Sequence, residues 1–146
     1  MNREPPNPRP FGRLLVAGLA ATLLLAGCEP LGADELRREV ETIGSLAAEG
    51  SVLAQQVADQ DTKRTFARVH SRELADAAEH SAERLTDAHP GGGLTDDVNE
   101  AISLANAVEV QLGQIEVGPD EAERAADASE RLRGLSQDAG SLADEL

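Results

Sequence analysis

Few side chains in this 146-residue sequence could do chemistry, and their spacing excludes most of it. Cys28 is the only cysteine and Met1 the only methionine, so there is no internal disulfide and no thioether ligand for copper or haem. The histidines are His70, His80 and His89. Di-iron bundles place a glutamate three residues before a histidine; here those positions hold Ala67, Ala77 and Thr86. Gly91 to Gly93 lacks the spacing of a phosphate cradle and reads as a linker. His70 falls on the apolar stripe of an expected helix and reads as a core-edge histidine, a ligand or pH-switch role being the alternative. His80 shares a helix face with Asp76 and Glu83, a set that could hold a divalent cation weakly but reads more simply as a solvated charged face. His89 falls in the last turn of a helix, where a cation offsets the dipole. No catalytic constellation emerges, so no catalytic, cofactor-binding or metal residue and no cofactor is expected.

Charge narrows the partners. The chain holds 13 basic and 27 acidic residues, net −14. A surface this acidic repels the nucleic-acid backbone and anionic lipid head groups. Four basic residues nevertheless crowd together: Lys63, Arg64, Arg68 and Arg72. The three arginines follow i, i+4, i+8 and share one helix face. They form a candidate docking site for an anionic partner or envelope polymer; pairing with acids on adjacent helices is the alternative. There is no Trp or Tyr, and Phe66 is the only phenylalanine besides Phe11. Tight small-molecule or sugar binding usually draws on such rings.

The first 27 residues stand apart. Arg3, Arg9 and Arg13 precede a 12-residue apolar run from Leu14 to Leu25. That is the n-region and h-region pattern of a secretory signal peptide. The run is shorter than the ~20 apolar residues that span a bilayer. It ends in Leu25-Ala26-Gly27-Cys28, which resembles the lipobox of bacterial lipoproteins at all four positions. The resemblance implies cleavage between Gly27 and Cys28, and a diacylglyceryl group, with acyl chains such as palmitate, on the Cys28 thiol. It implies nothing about the domain that follows. One acyl chain anchors only marginally, at ~0.8 kcal/mol per buried CH₂, whereas two or three hold firmly. Lipidation would also remove the only thiol from any chemical role. Residues 28–146 then carry 10 basic and 26 acidic residues, net −16.

The elements that position these residues are helices. Residues 28–33 form a short tether. Over 34–58, Leu36, Val40, Ile43, Ala47, Gly50, Ala54 and Val57 recur at alternating steps of four and three, flanked by Leu46 and Leu53. Gly50 lies on this seam, where a missing side chain admits a neighbouring helix. In phase, the seam would next meet Asp61, Arg64, Arg68 and Ser71, all polar. A turn is therefore expected near Asp59 to Thr62, with Asp61 or Thr62 as cap, one long bent helix being the alternative. The pattern restarts over 62–88 with Phe66, His70, Leu74, Ala77, Ser81, Leu85 and Ala88. His89-Pro90-Gly91-Gly92-Gly93 breaks it. Thr95 is placed to cap a third helix over 95–115, with Val98, Ala101, Ala105, Val108, Leu112 and Ile115 as its seam and Ile102 and Leu104 beside it. Val117-Gly118-Pro119 is a further break, and Pro119 suits the first position of a helix over 119–146. Its seam is Ala125, Ala128, Leu132, Leu135, Ala139, Leu142 and Leu146.

The expected fold is all-α: an antiparallel up-down-up-down four-helix bundle over 34–146, after an N-terminal signal peptide. Its alanine-rich seams favour close packing over a ligand cavity. The expected function is that of a membrane-anchored lipoprotein on the extracytoplasmic side of the cell membrane. It would be a non-enzymatic interaction or accessory module of the cell envelope with a protein partner and no nucleic acid. The alternative is a small-ligand or metal-binding bundle, a sensor or carrier using His70 and nearby acids. With the tether just before the first helix, the Pro90–Gly93 loop and Leu146 fall at the membrane end. The turns near Asp61 and Gly118 point away.

Overall fold

The computed structural model describes residues 30–146. The expected signal segment, the lipobox and Cys28 lie outside the described residues. Four helices are present and no strand is formed among the described residues: α1 Ala33–Ala58, α2 Arg64–Asp87, α3 Thr95–Val117 and α4 Ala122–Glu145. None of them is long and apolar enough to cross a membrane.

Each boundary has a local cause. At the start of α1, Asp34 and Glu35 face the positive end of the dipole, and the Glu35 carboxylate accepts the Gly32 N–H at 3.5 Å. Its C-terminus closes in a Schellman motif: Asp61 N–H donates to Gln56 O at 2.9 Å and Gln60 N–H to Val57 O at 3.1 Å. Gln60 takes the left-handed position, φ 62°, which glycine usually fills. The chain therefore turns here without the glycine or proline that marks most breaks. Neither Asp61 nor Thr62 caps α2; Lys63 holds that position and makes no side-chain cap bond. The next loop turns through Gly91–Leu94, with Gly92 and Gly93 at φ 54° and 95°, and Leu94 N–H donates to Gly91 O at 3.1 Å. Thr95 is already helical, Leu94 being the cap. Pro119 is not in α4: it is buried in the turn that closes when Glu121 N–H donates to Gly118 O, and the helix begins at Ala122.

The expected seams of α1 and α3 are buried throughout, and those of α2 and α4 only in part. In α2, Phe66 is 53% exposed, and His70, Ala77 and Ala88 are only half-buried. The buried stripe is Ala67, Ser71, Leu74, Ala75, Ala78, Ser81, Ala82 and Leu85. α2 packs chiefly on α3 and only lightly on α1. That turns its smallest residues inward, because close helix approach needs short side chains, and leaves Phe66 outside. In α4, Leu135 and Leu146 are half-buried while Ser129 and Ala143 are buried. The most extensive contact is between α1 and α4. Arg37 Nε donates to Ala143 O at 3.1 Å, and the buried Ser129 hydroxyl donates to Ser51 O at 2.9 Å. At Gly50 a Cβ would stand 2.7 Å from Leu112 Cδ2 and 3.3 Å from Leu132 Cδ1, so α1, α3 and α4 converge there.

Candidate functional site

Two ends of the domain differ in character. At one, Leu31 is strapped to the loop between α2 and α3. Its N–H donates to His89 O at 2.9 Å, and its carbonyl accepts Gly91 N–H at 3.1 Å. These bonds form an isolated parallel bridge between Leu31 and Pro90. Only Pro30 precedes the strap among the described residues. The tether expected over 28–33 is thus docked at Leu31, and the apolar residue between Pro30 and Gly32 is the signal for it. At the other end the turns after α1 and α3 meet. Arg64 pairs with Asp120 at 2.8 Å, and Val57, Thr62 and Pro119 line one cleft beside them.

The four basic residues singled out above lie at this turn end, and the fold divides them. Arg64 is neutralised by Asp120, and Arg72 by Glu116 of α3, to which its Nε donates at 2.8 Å. Lys63 and Arg68 are exposed and pair with no described carboxylate. Exposed pairs of this kind contribute only ~0–1 kcal/mol to stability.

His70 is half-buried, at the edge of the core. It sits at the α1–α2 seam, where Nε2 meets Glu49 Oε1 of α1 at 2.9 Å and Nδ1 lies 3.6 Å from Glu73 Oε2. Its ring stacks on Phe66, centroids 5.3 Å apart and planes at 29°. Both ring nitrogens thus face carboxylates. His80 is exposed, and its Nδ1 lies 2.7 Å from the Asp76 backbone oxygen rather than a carboxylate. Among the described residues no group of three or more His, Cys, Asp or Glu side chains is arranged to hold a metal ion. His89 lies beyond the last turn of α2, which ends at Asp87, so it offsets no dipole; its carbonyl holds the strap instead.

An open groove between α2 and α3 carries the carboxylates of Glu79, Glu83, Asp87 and Glu109, with no basic residue in its lining. What the residue pattern missed is an exposed apolar set. Phe66 and Val69 on α2, Val52 on α1, and Val110 and Val117 on α3 are all half or more exposed. The heptad assignment of Phe66 to the core hid it. Only the orientation of α2 against α3 reveals it.

Comparison with family models, with curated proteins and with solved structures finds no match to this chain.

Proposed function

We propose that this chain is an envelope lipoprotein, anchored through acyl chains on Cys28, whose helical domain is a non-enzymatic interaction module. The observation that carries the proposal is the Leu25-Ala26-Gly27-Cys28 motif, placed after a basic and then apolar segment and directly before the folded domain. The four helices are read as an antiparallel up-down-up-down bundle. Support comes from contacts whose partners advance in opposite directions: Glu39 with Arg84 and Glu49 with His70 on α1 and α2, then Arg37 with Ala143 and Ser51 with Ser129 on α1 and α4.

The strap sharpens the geometry of this reading. Leu31 is bonded to the α2–α3 loop, so only three residue steps, at most ~11 Å, separate it from the thiol of an anchored Cys28. The Pro90–Gly93 loop then lies near the bilayer on the extracytoplasmic side, and the turn end is presented outward to a protein partner. The charges agree with this pose. Residues 31–45, 76–106 and 134–146, the strap half, hold three basic and fourteen acidic residues, net −11. Such a collar is repelled by anionic head groups and resists lying flat.

Growth with labelled palmitate tests the anchor. The wild-type chain takes up label and fractionates with membranes; Cys28→Ser takes up none and leaves the membrane fraction. Label retained by Cys28→Ser would sink the proposal. In intact cells, protease should cut first at the turns near Asp61 and Gly118; preferential cutting at Gly91–Gly93 would overturn the orientation. The reading of His70 as a small-molecule or metal ligand draws no support from its geometry, because both nitrogens already face Glu49 and Glu73.

A further inference from the structure

The helices fall into two pairs. Contact is most extensive between α1 and α4, next between α2 and α3, and light between α1 and α2. Among the described residues α2 and α4 share no contact. Chain connection adds an asymmetry. The two links that join one pair to the other, residues 59–63 and 118–121, both lie at the turn end, where Arg64 pairs with Asp120. At the opposite end the α2–α3 loop closes its own pair, and the start of α1 lies beside the end of α4, where Arg37 Nε donates to Ala143 O. No covalent link joins the two pairs there among the described residues. The backbone tie that does is the Leu31–Pro90 bridge, with its bonds from Leu31 N–H to His89 O and from Gly91 N–H to Leu31 O.

Packing alone closes the strap end of the α1–α2 seam weakly. Over its second half α2 buries Ala78, Ser81, Ala82 and Leu85, so Leu85 is the one large apolar side chain it places in the core there. Burial stabilises in proportion to the apolar area removed from water, and short side chains supply little of it. The ion pair that crosses the seam here, Glu39 with Arg84, leaves Arg84 exposed, and such pairs contribute little. The strap adds two backbone bonds and the half-buried Leu31 side chain, which packs against the core.

We infer that the Leu31 strap is a latch. Docked, it holds the strap end of the α1–α2 seam shut. Released, it lets that end part while the α1–α4 and α2–α3 pairs stay whole. The hinge is the turn end, which carries both covalent links and the Arg64–Asp120 pair. The geometry makes release a small event. Both bonds belong to one residue, so displacing Leu31 removes them together, and α1, which starts at Ala33, need not unwind. Each such bond is modest in net strength, so the latch can open and close without unfolding the domain. The latch stands on the described residues alone; only its operator rests on the anchored-lipoprotein reading. Leu31 lies three residue steps from Cys28, so a pull on an anchored tether reaches the latch before it reaches a helix.

The test uses the full chain carrying Cys28→Ser, so its outcome is independent of acylation. Spin labels on Glu41→Cys and Glu83→Cys, both exposed positions, span the α1–α2 seam; labels on Glu41→Cys and Gln137→Cys span the α1–α4 pair. Leu31→Pro then removes the N–H that bonds His89 O, together with the leucine side chain. It lies outside every helix, so circular dichroism should show the helical content intact. The seam pair should gain a longer distance whose population rises about fivefold or more, and the α1–α4 pair should keep its distance. The converse variant locks the strap. A Cβ at Gly91 would stand 3.4 Å from Pro30 Cβ, next to the ~3.5–4.5 Å of disulfides. In Pro30→Cys with Gly91→Cys, oxidation should slow amide exchange over residues 76–87 by about tenfold against the same chain reduced, and leave residues 129–142 unchanged. Seam distances that Leu31→Pro leaves unchanged, lengthening of both label pairs alike, or exchange indifferent to oxidation each overturns the inference. Palmitate labelling is scored separately, so failure of the latch and failure of the anchor are read apart.

Discussion

Replacing Gly50 with alanine probes the point where three helices converge. Two terms oppose each other. Alanine is favoured over glycine within a helix by ~0.8–1.0 kcal/mol. Against that, the new methyl would stand 2.7 Å from Leu112 Cδ2 and 3.3 Å from Leu132 Cδ1. Both leucines are fully buried, so neither can swing into solvent to make room. Overpacking of a filled core costs ~1–3 kcal/mol. The packing term wins, and Gly50→Ala should destabilise by about 1 kcal/mol, the difference of the two central values. The internal controls are Gly113, Gly134 and Gly140, where a Cβ meets nothing within 4 Å. Alanine at each of these keeps the propensity gain and should stabilise by about 1 kcal/mol. The assay is urea denaturation followed by helical circular dichroism. Adding Leu112→Val to Gly50→Ala should restore room, giving a favourable coupling of ~0.5 kcal/mol or more in the double-mutant cycle. If Gly50→Ala stabilises as much as the three controls and shows no coupling to position 112, the close approach at Gly50 is wrong.

Other substitutions separate further causes by the same denaturation measurement. Gln60→Gly should stabilise by about 1 kcal/mol, because Gln60 occupies the left-handed position of the Schellman motif at φ 62°. Conversely, Gly93→Ala should destabilise by about 1 kcal/mol although space is free around it, since its φ is 95°. Ser129→Ala should cost ~1 kcal/mol by removing the inter-helix bond to Ser51 O. Ser71→Ala should be near neutral, as that hydroxyl bonds only its own helix at Arg68 O. Gln111 is buried and its Oε1 has no hydrogen-bond partner among the described residues, so Gln111→Leu should stabilise by ~1 kcal/mol or more.

The four helices were legible because apolar residues recur at steps of three and four, and the Pro90–Gly93 and Gly118–Pro119 breaks carry residues that no helix continues through. The break after α1 was harder. It depends on Gln60 adopting a backbone conformation that its type does not announce, and only the polarity of the next turn hinted at it. The basic cluster was visible as composition, but which of its members are neutralised was not. Asp120 and Glu116 lie more than forty residues away in sequence, and only packing brings them to Arg64 and Arg72.

Periodicity and residue type alone thus determined an all-helical acidic domain, and they supply the lipobox-like Leu25-Ala26-Gly27-Cys28 motif on which the anchoring proposal rests. A helix's period says which residues share a face; it does not say which face a neighbour takes. Tertiary structure decided that. Because α2 leans on α3 and only lightly on α1, its alanines and serines turned inward, Phe66 came to the surface and His70 to the edge of the core. Leu31, which looked like part of a loose tether, became a strap because the loop carrying His89 and Gly91 presented it with a free carbonyl and a free N–H.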